Sequence, residues 1–495
     1  MKFRGQRPPR SRRYAVLLIV LPCVGAVGWV ASSPANDDGA AVFSVAPEVW
    51  IPQVPQPEAL ESTWFCPGVP VSGETDSGGA VIVTNTSAEP TQAIVTVMSD
   101  SAPSKSTVVD VAAYDRVQVD IDAEIDGRYG AATVEILGGG GLVEQRAFYS
   151  AGETLGQSST PCATTLSAEW YLPEGYTVDE ATDLIILSNP SDDQIVVDVL
   201  FHTSNGVQRP AAFTGLPVSA RSLRIVDVGI EGGGARGDAS VGVSVHAAQG
   251  ALMVGRVMAA DDTRRGGSSI SMGAPLVSDR WWFVDGEKGT QVAERFSVMN
   301  PTELTVTVTA TFFPAGNTTA PVATSLSIDP NDVAVLDAGE FADLPEGTHS
   351  VLFSTLDGRS IVVDRALTRV GADGGKVTSI AFGVPERLDG HVPQTWFLAA
   401  GPSVPMDTGL VLLNLDNLAG EVTVYSLGSN GPVVVPGLQQ IPLEAASTLA
   451  IPLTDQAVLG RPLVIESTSR VLVERRLPSG DGVSQSWALA GEACC

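Results

Sequence analysis

From residue 61 onward the chain is written in short runs of Val, Ile, Leu and Thr, some alternating with polar residues and some continuous, separated by Gly, Asn, Asp and Pro. Alternation with a period of two places successive side chains on opposite faces of a strand, and a short apolar run bounded by turn formers reads as a buried strand. No stretch repeats apolar residues at helical spacing for long enough to make a convincing amphipathic helix. The pattern predicts an all-β body.

The runs are also periodic. A tryptophan–aromatic pair stands at Trp64-Phe65, Trp170-Tyr171, Trp282-Phe283 and Trp396-Phe397, and each is followed by an apolar strand ending at Asn85, Asn189, Asn300 or Asn414. The tryptophan-to-asparagine separations are 21, 19, 18 and 18 residues. An alternating strand comes next (93–97, 195–199, 304–310 and 421–425), and three copies then show tight-hairpin chemistry at Asn205-Gly206, Gly316-Asn317 and Asn430-Gly431. Every copy closes on an apolar strand carrying an arginine: Arg146, Arg256, Arg365 and Arg475, spaced 110, 109 and 110 residues apart. Such regularity over four copies outweighs any single motif.

About seven strands in ~110 residues is the content of an immunoglobulin-like sandwich, so tandem sandwiches are the expected fold. A β-propeller of seven four-stranded blades is the alternative, and the missing sub-period of ~40–50 residues counts against it. The resulting plan is a basic cytoplasmic tail (1–13), a signal anchor or signal peptide (14–32), a Pro-containing stalk (33–60), sandwich repeats over 61–166, 167–277, 278–391 and 392–485, and a closing strand with a cysteine tail (486–495). In the last segment Trp487 lies in an echo of the sequence around Trp396, giving five tryptophan strands for four bodies. Either it begins a truncated fifth unit, or a tryptophan strand completes the sandwich before it or bridges two neighbours.

The order of tryptophan–aromatic pair, Asn-Pro (Asn189-Pro190, Asn300-Pro301), Asn-Gly hairpin and Val-x-Glu/Asp-Arg (Asp364-Arg365, Glu474-Arg475) resembles the β-sandwich repeats of exported bacterial proteins. With the basic N-terminus, the apolar segment and the W-F-C-P-G opening at Trp64 to Gly68, it is similar to an actinobacterial family of membrane-anchored or secreted proteins of unknown function. The resemblance covers about 61 to 487 and implies a cell-envelope location without an activity. Asn85-Thr86 and Asn414-Leu415 lack the proline, and Gln145-Arg146 and Gly255-Arg256 lack the acid, which argues against a catalytic Glu-Arg pair.

Charge adds topology. Of 29 basic residues six lie in the first thirteen, leaving 23 against 56 acidic residues, or −33, for the remainder. A body so negative repels phosphate backbones, so nucleic acid is not an expected partner. Residues 15–31 form an uncharged apolar run with basic residues before it and Asp37 and Asp38 after it, which predicts a single-pass membrane protein with an extracellular C-terminal body. Secretion after cleavage near Val30-Ala31-Ser32 is the alternative. Export permits disulfides, and Cys66 and Cys162, which flank the first repeat, are the expected pair; Cys494 and Cys495 are adjacent.

Candidate chemistry is sparse. His202, His246, His349 and His391 are scattered, Asp120-x-Asp122-x-Glu124-x-Asp126-Gly127 lacks the closing glutamate of a calcium loop, and no nucleophile elbow, zinc-protease helix or phosphate loop occurs. No metal, cofactor or catalytic set is expected, and the protein is read as a non-enzyme. The repeat tryptophans are expected in cores, and each repeat arginine on its tryptophan or on carbonyls near the Asn-Pro turn. Trp281, the extra member of a Trp-Trp pair, and Trp50 in the stalk are the candidates for a ligand contact. The expected role is a structural, adhesive or scaffold protein of the cell envelope. The alternatives are a module binding cell-wall glycan or glycopolymer, and an accessory subunit of a membrane-bound envelope-biosynthesis enzyme; another envelope protein is the other expected partner.

Overall fold

The computed structural model describes residues 52–56, 59–71, 77–151, 154–179, 181–230, 235–316, 320–386 and 393–491. The expected tail and anchor, Trp50, His391, Cys494 and Cys495 lie outside the described residues. Among the described residues no helix is long and apolar enough to cross a membrane; the α-helix Ile121–Glu124 is a single turn. Apart from three 3-10 turns at Ala211–Phe213, Ala338–Glu340 and Gln456–Val458, the other described elements are strands, in eight small sheets.

Each repeat supplies two sheets. One contains the tryptophan strand: Glu61–Pro70, Glu169–Leu172, Arg280–Lys288 or Thr395–Leu398. The other sets the asparagine strand (Gly78–Asn85, Thr182–Asn189, Val292–Met299, Met406–Asn414) beside the arginine strand (Gly141–Ala151, Met253–Asp261, Val362–Val370, Val471–Ser479). A closing strand (Thr154–Pro161, Gly266–Met272, Lys376–Phe382, Gly482–Trp487) hairpins back along the arginine strand. Asparagine strands are buried on both faces, which is why they read as continuous apolar runs. The strands that follow, such as Thr91–Ser99 and Ile195–Thr203, alternate because one face meets solvent.

The four asparagines are buried and act as keystones. Asn300 donates from Nδ2 to the carbonyls of Leu304, Ile328 and Asp329, while its Oδ1 accepts from the backbone and hydroxyl of Thr302. Asn85 and Asn189 repeat the same set, and Asn414 most of it. One amide thus ties the turn leaving its own strand to a second turn about thirty residues on. That second turn holds Tyr114, Arg221, Asn331 or Ala446 at positive φ, 47° to 56°. Each of these left-handed residues donates its N–H to the residue two after the asparagine: Ser87, Ser191, Thr302 or Asp416.

The units do not hang as separate beads. Neighbouring closing strands meet through hydroxyl-to-backbone bonds: Ile270 N–H to Ser158, Ile380 N–H to Ser269 and Gln485 N–H to Ser379, each 3.0 Å. The fourth unit then returns to the first, where Ser479 accepts from the Gln157 N–H at 2.9 Å and pairs with the Tyr149 hydroxyl, also at 2.9 Å. The four closing strands therefore surround one axis, and the repeats over the described residues close into a ring. The described sheets number eight, two from each repeat, where the propeller alternative expects seven four-stranded blades.

The C-terminal echo settles on the fourth unit. Leu489–Gly491 pairs with the Trp396 strand, as the segments after the other closing strands pair with their own tryptophan strands. Within the expected stalk, Gln53–Val54 forms a strand parallel to Ala490 and Gly491, while Val54 is buried in the core of the first unit. That part of the stalk is an element of the ring, because its backbone finds an open sheet edge beside it.

Candidate functional site

Tryptophan register corrects the third repeat. Trp282 pairs with Val384 where Tyr171 pairs with Ala274 and Phe65 with Ala163, so Trp281 is the counterpart of Trp64, Trp170 and Trp396. Trp281 is fully buried, and its indole N–H donates to Ser278 and Ile361 carbonyls, as Trp170 does to Ser167 and Leu252 and Trp396 to Pro393 and Val471. It is therefore no exposed ligand contact. Trp282 points the other way and is half-buried beside Phe313. The sequence placed the pair one residue late because an aromatic follows the core tryptophan in every unit and here that aromatic is itself a tryptophan.

The same register explains the disulfide between Cys66 and Cys162. These positions correspond to Leu172 and Gly273 in the second unit and to Phe283 and Gly383 in the third. A Cβ on Gly383 would lie 2.9 Å from the Phe283 ring, and one on Gly273 3.2 Å from Leu172. The first unit fills with a covalent bridge the place that a large side chain over a glycine fills in the second and third.

The arginines do not stack on the tryptophans. All four are buried, and their partners are mostly carboxylates, several from the next unit. Arg475 meets Glu144 of the first unit at 2.6 Å and Ser159 at 2.8 Å, and Arg365 meets Glu474 of the fourth at 2.8 Å with the Phe283 ring 5.2 Å away. Arg256 pairs with Asp183 at 2.9 Å, and Arg146 with Glu144 at 2.7 Å. In a strand, adjacent residues face opposite ways, so the residue before each arginine reaches a different neighbour. Asp364 accepts from the Glu174 N–H of the second unit, and Glu474 from the Asp285 N–H of the third. Between the first two units the corresponding residue is Gly255, where a Cβ would meet Pro67 at 2.4 Å. That seam is apolar, with Leu184, Ile186 and Val257 joining the first unit's core.

Burial and pairing set the protonation of this belt. Burial raises Asp364 to about 7, beyond what its backbone hydrogen bond and Arg256 recover. Burial also works against ionised Glu144, but Arg475 and Arg146 outweigh it and hold that carboxyl below its ordinary value. Asp285 is lowered likewise against burial by Arg369 and Arg476. These shifts accompany complete enclosure, which is the signature of a structural ionic network rather than of groups poised for solvent-borne substrate.

An open site lies on the axis. Hairpins joining arginine and closing strands converge around a cavity of about 470 Å³. Its walls include Tyr149, Ser268, Asp261, Asp373 and Asp481, from all four units. Gly267 turns there with φ +77°, and a Cβ on it would lie 2.8 Å from the Tyr149 hydroxyl, so the close approach of two hairpins requires glycine. The mouth offers hydroxyls, carboxylates and backbone groups beside the apolar side chains of Ala259, Ala260 and Val377. Sequence reasoning missed it; the only signal was an acid beside glycines shortly after three of the arginine strands.

The remaining candidates scatter. Glu124 turns to Lys105 at 2.9 Å, away from a calcium geometry, on the helical turn Ile121–Glu124. Among the described residues no three His, Cys, Asp or Glu side chains converge as a metal site. His349 is buried against Glu294 at 2.6 Å, His202 bonds Asn331 and Ser244, and His246 lies exposed 3.6 Å from Glu169.

A family model described as a family of unknown function (DUF5719) matches residues 139–387. No curated protein matches the chain. Among solved structures, the chain is similar to Thermotoga maritima 1070 at 19% identity over 22% of this chain and 96% of that one, with a TM-score of 0.20. It is also similar to a tetra-tandem repeat in the extending region of a large adhesion protein (13% identity, 87% and 100% covered, TM-score 0.12). The third likeness is to Streptomyces avermitilis α-L-rhamnosidase (11% identity, 88% and 45% covered, TM-score 0.13). At these scores none assigns an activity to this chain.

Proposed function

This chain belongs to the DUF5719 family, a family of unknown function, and we propose from its own architecture that it is a non-enzymatic exported protein of the cell envelope. In this reading an N-terminal helix holds it in the membrane, and four immunoglobulin-like sandwiches form a rigid structural or adhesive scaffold. The observation that carries the reading is the closure of the fourth unit on the first through Arg475, Glu144 and Ser479, which suits a body that must keep its shape without cytoplasmic chaperones. The Cys66–Cys162 bridge suits an oxidising compartment. Protease added to intact producing cells should digest the body, and a membrane-impermeant thiol reagent should label neither Cys66 nor Cys162 until reductant is added. A cytosolic, fully reduced chain would overturn the proposal.

The axial mouth, with hydroxyls and carboxylates set among apolar side chains, supports a second reading, binding of a neutral cell-wall glycan. On a glycan array, Asp373→Asn with Asp481→Asn should abolish any saturable signal given by the full chain. A signal indifferent to both substitutions would place binding elsewhere.

A further inference from the structure

Beside the axial mouth, between the second and third units, a cleft of about 590 Å³ collects basic side chains that the chain otherwise lacks. Only 23 of its residues beyond position 13 are Lys or Arg, and four of them, Arg264, Arg265, Arg295 and Lys376, line this one cleft. Their arrangement is built from below. Glu174, fully buried, pairs with Arg265 and stands 3.8 Å from the Nε of Arg295. The Arg265 guanidinium lies 4.3 Å above the Tyr176 ring, and Arg295 is steadied by the Ala239 carbonyl at 2.6 Å. The Asp262 carboxylate, which accepts from the Arg264 and Arg265 N–H groups, stands beside Glu174 as a second acid. The floor is therefore charge-balanced and already ordered, its entropy of immobilisation spent in folding, and Arg264 and Lys376 supply the cleft's positive charge. Lys376 and the exposed Arg264 stand over it, Lys376 fixed by the Asp262 carbonyl at 2.9 Å. Asp337 and Glu340 occupy the opposite wall. Asp337 is engaged with the Gly339 N–H, and Glu340 is exposed.

We propose that this cleft binds an oxyanion, a carboxylate or phosphate group carried by an envelope polymer. On a body of −33 in total the cleft is where such a group meets guanidinium and ammonium donors instead of repulsion. The site is distinct from the axial mouth and does not depend on the scaffold reading. Lys376 stands on the ridge between the two cavities, lining both.

The test uses the full chain in detergent and two anionic probes, an oligogalacturonate for carboxylate and an oligo(glycerol phosphate) for phosphate, with a neutral glucan oligomer as control. Calorimetric titration at low salt should show saturable binding of at least one anionic probe and none of the glucan, and the probe that binds identifies the source. Raising salt should weaken it steeply. Arg264→Gln, on an exposed hairpin, should reduce affinity about tenfold with unchanged melting, Arg264→Gln with Lys376→Gln should remove it, and Glu340→Gln should strengthen it. Failure of both anionic probes to bind, or equal binding by the double variant, overturns the proposal.

Discussion

Four buried amides, Asn85, Asn189, Asn300 and Asn414, hold the turns of this fold. Each joins two turns that are remote in sequence, and removing one leaves several buried carbonyls without a donor, a loss larger than a single hydrogen bond. Asn300→Ala should lower unfolding free energy by about 3 kcal/mol in a urea titration, whereas a change confined to tenths would mean that water replaces the amide. Asp364 makes a different prediction. Its folded value near 7 lies above the ordinary 3.8, so between about pH 4 and pH 7 the folded chain retains a proton that the unfolded chain releases. This carboxyl's favourable contribution is therefore complete below about pH 4 and is lost as pH rises through 7. Asp364→Asn keeps the acceptor for the Glu174 N–H and removes the titration, so the variant should gain on the wild type between pH 5 and pH 8 by up to about 4 kcal/mol. Parallel stability profiles for the two would refute that assignment.

Strands explain what could and could not be read beforehand. Continuous apolar runs, the spaced asparagines and the arginine period were legible because each reflects local geometry repeated four times. The inter-unit partners of the arginines were not, since Glu144 meets Arg475, Glu474 meets Arg365 and Asp285 meets Arg476 only after neighbouring units pack, and sequence spacing carries no trace of that contact. The Trp281–Trp282 choice turned on a one-residue register, which exchanges inward and outward faces completely. Trp281→Ala should accordingly destabilise by about 3–5 kcal/mol, and Trp282→Ala by clearly less, in parallel melts. Turns leave room for improvement: Ala446 sits at φ +47°, which glycine adopts without a Cβ clash. Ala446→Gly should raise stability by roughly 0.5–1 kcal/mol, and a loss would show that the entropy of the unfolded glycine outweighs the relief.

Viewed whole, the molecule joins its units by unlike seams, one apolar around Pro67 and Gly255 and the others threaded with buried ion pairs. Glu144→Gln leaves Arg475 enclosed with its charge uncompensated, at a cost of about 3–5 kcal/mol, and should enlarge the hydrodynamic radius before secondary structure is lost. Simultaneous loss of both signals would instead make the ring a single cooperative block. Deleting 488–495 removes the strand that pairs with both the Trp396 strand and Gln53–Val54, and should uncouple the fourth unit from the first. That short parallel pairing also fixes how the body answers a pull. Tension entering at residue 52 reaches the last strand of the chain and the first unit's core together, so the load is divided between beginning and end as at a buckle, and the circle tightens at its fastening instead of unzipping from one tail.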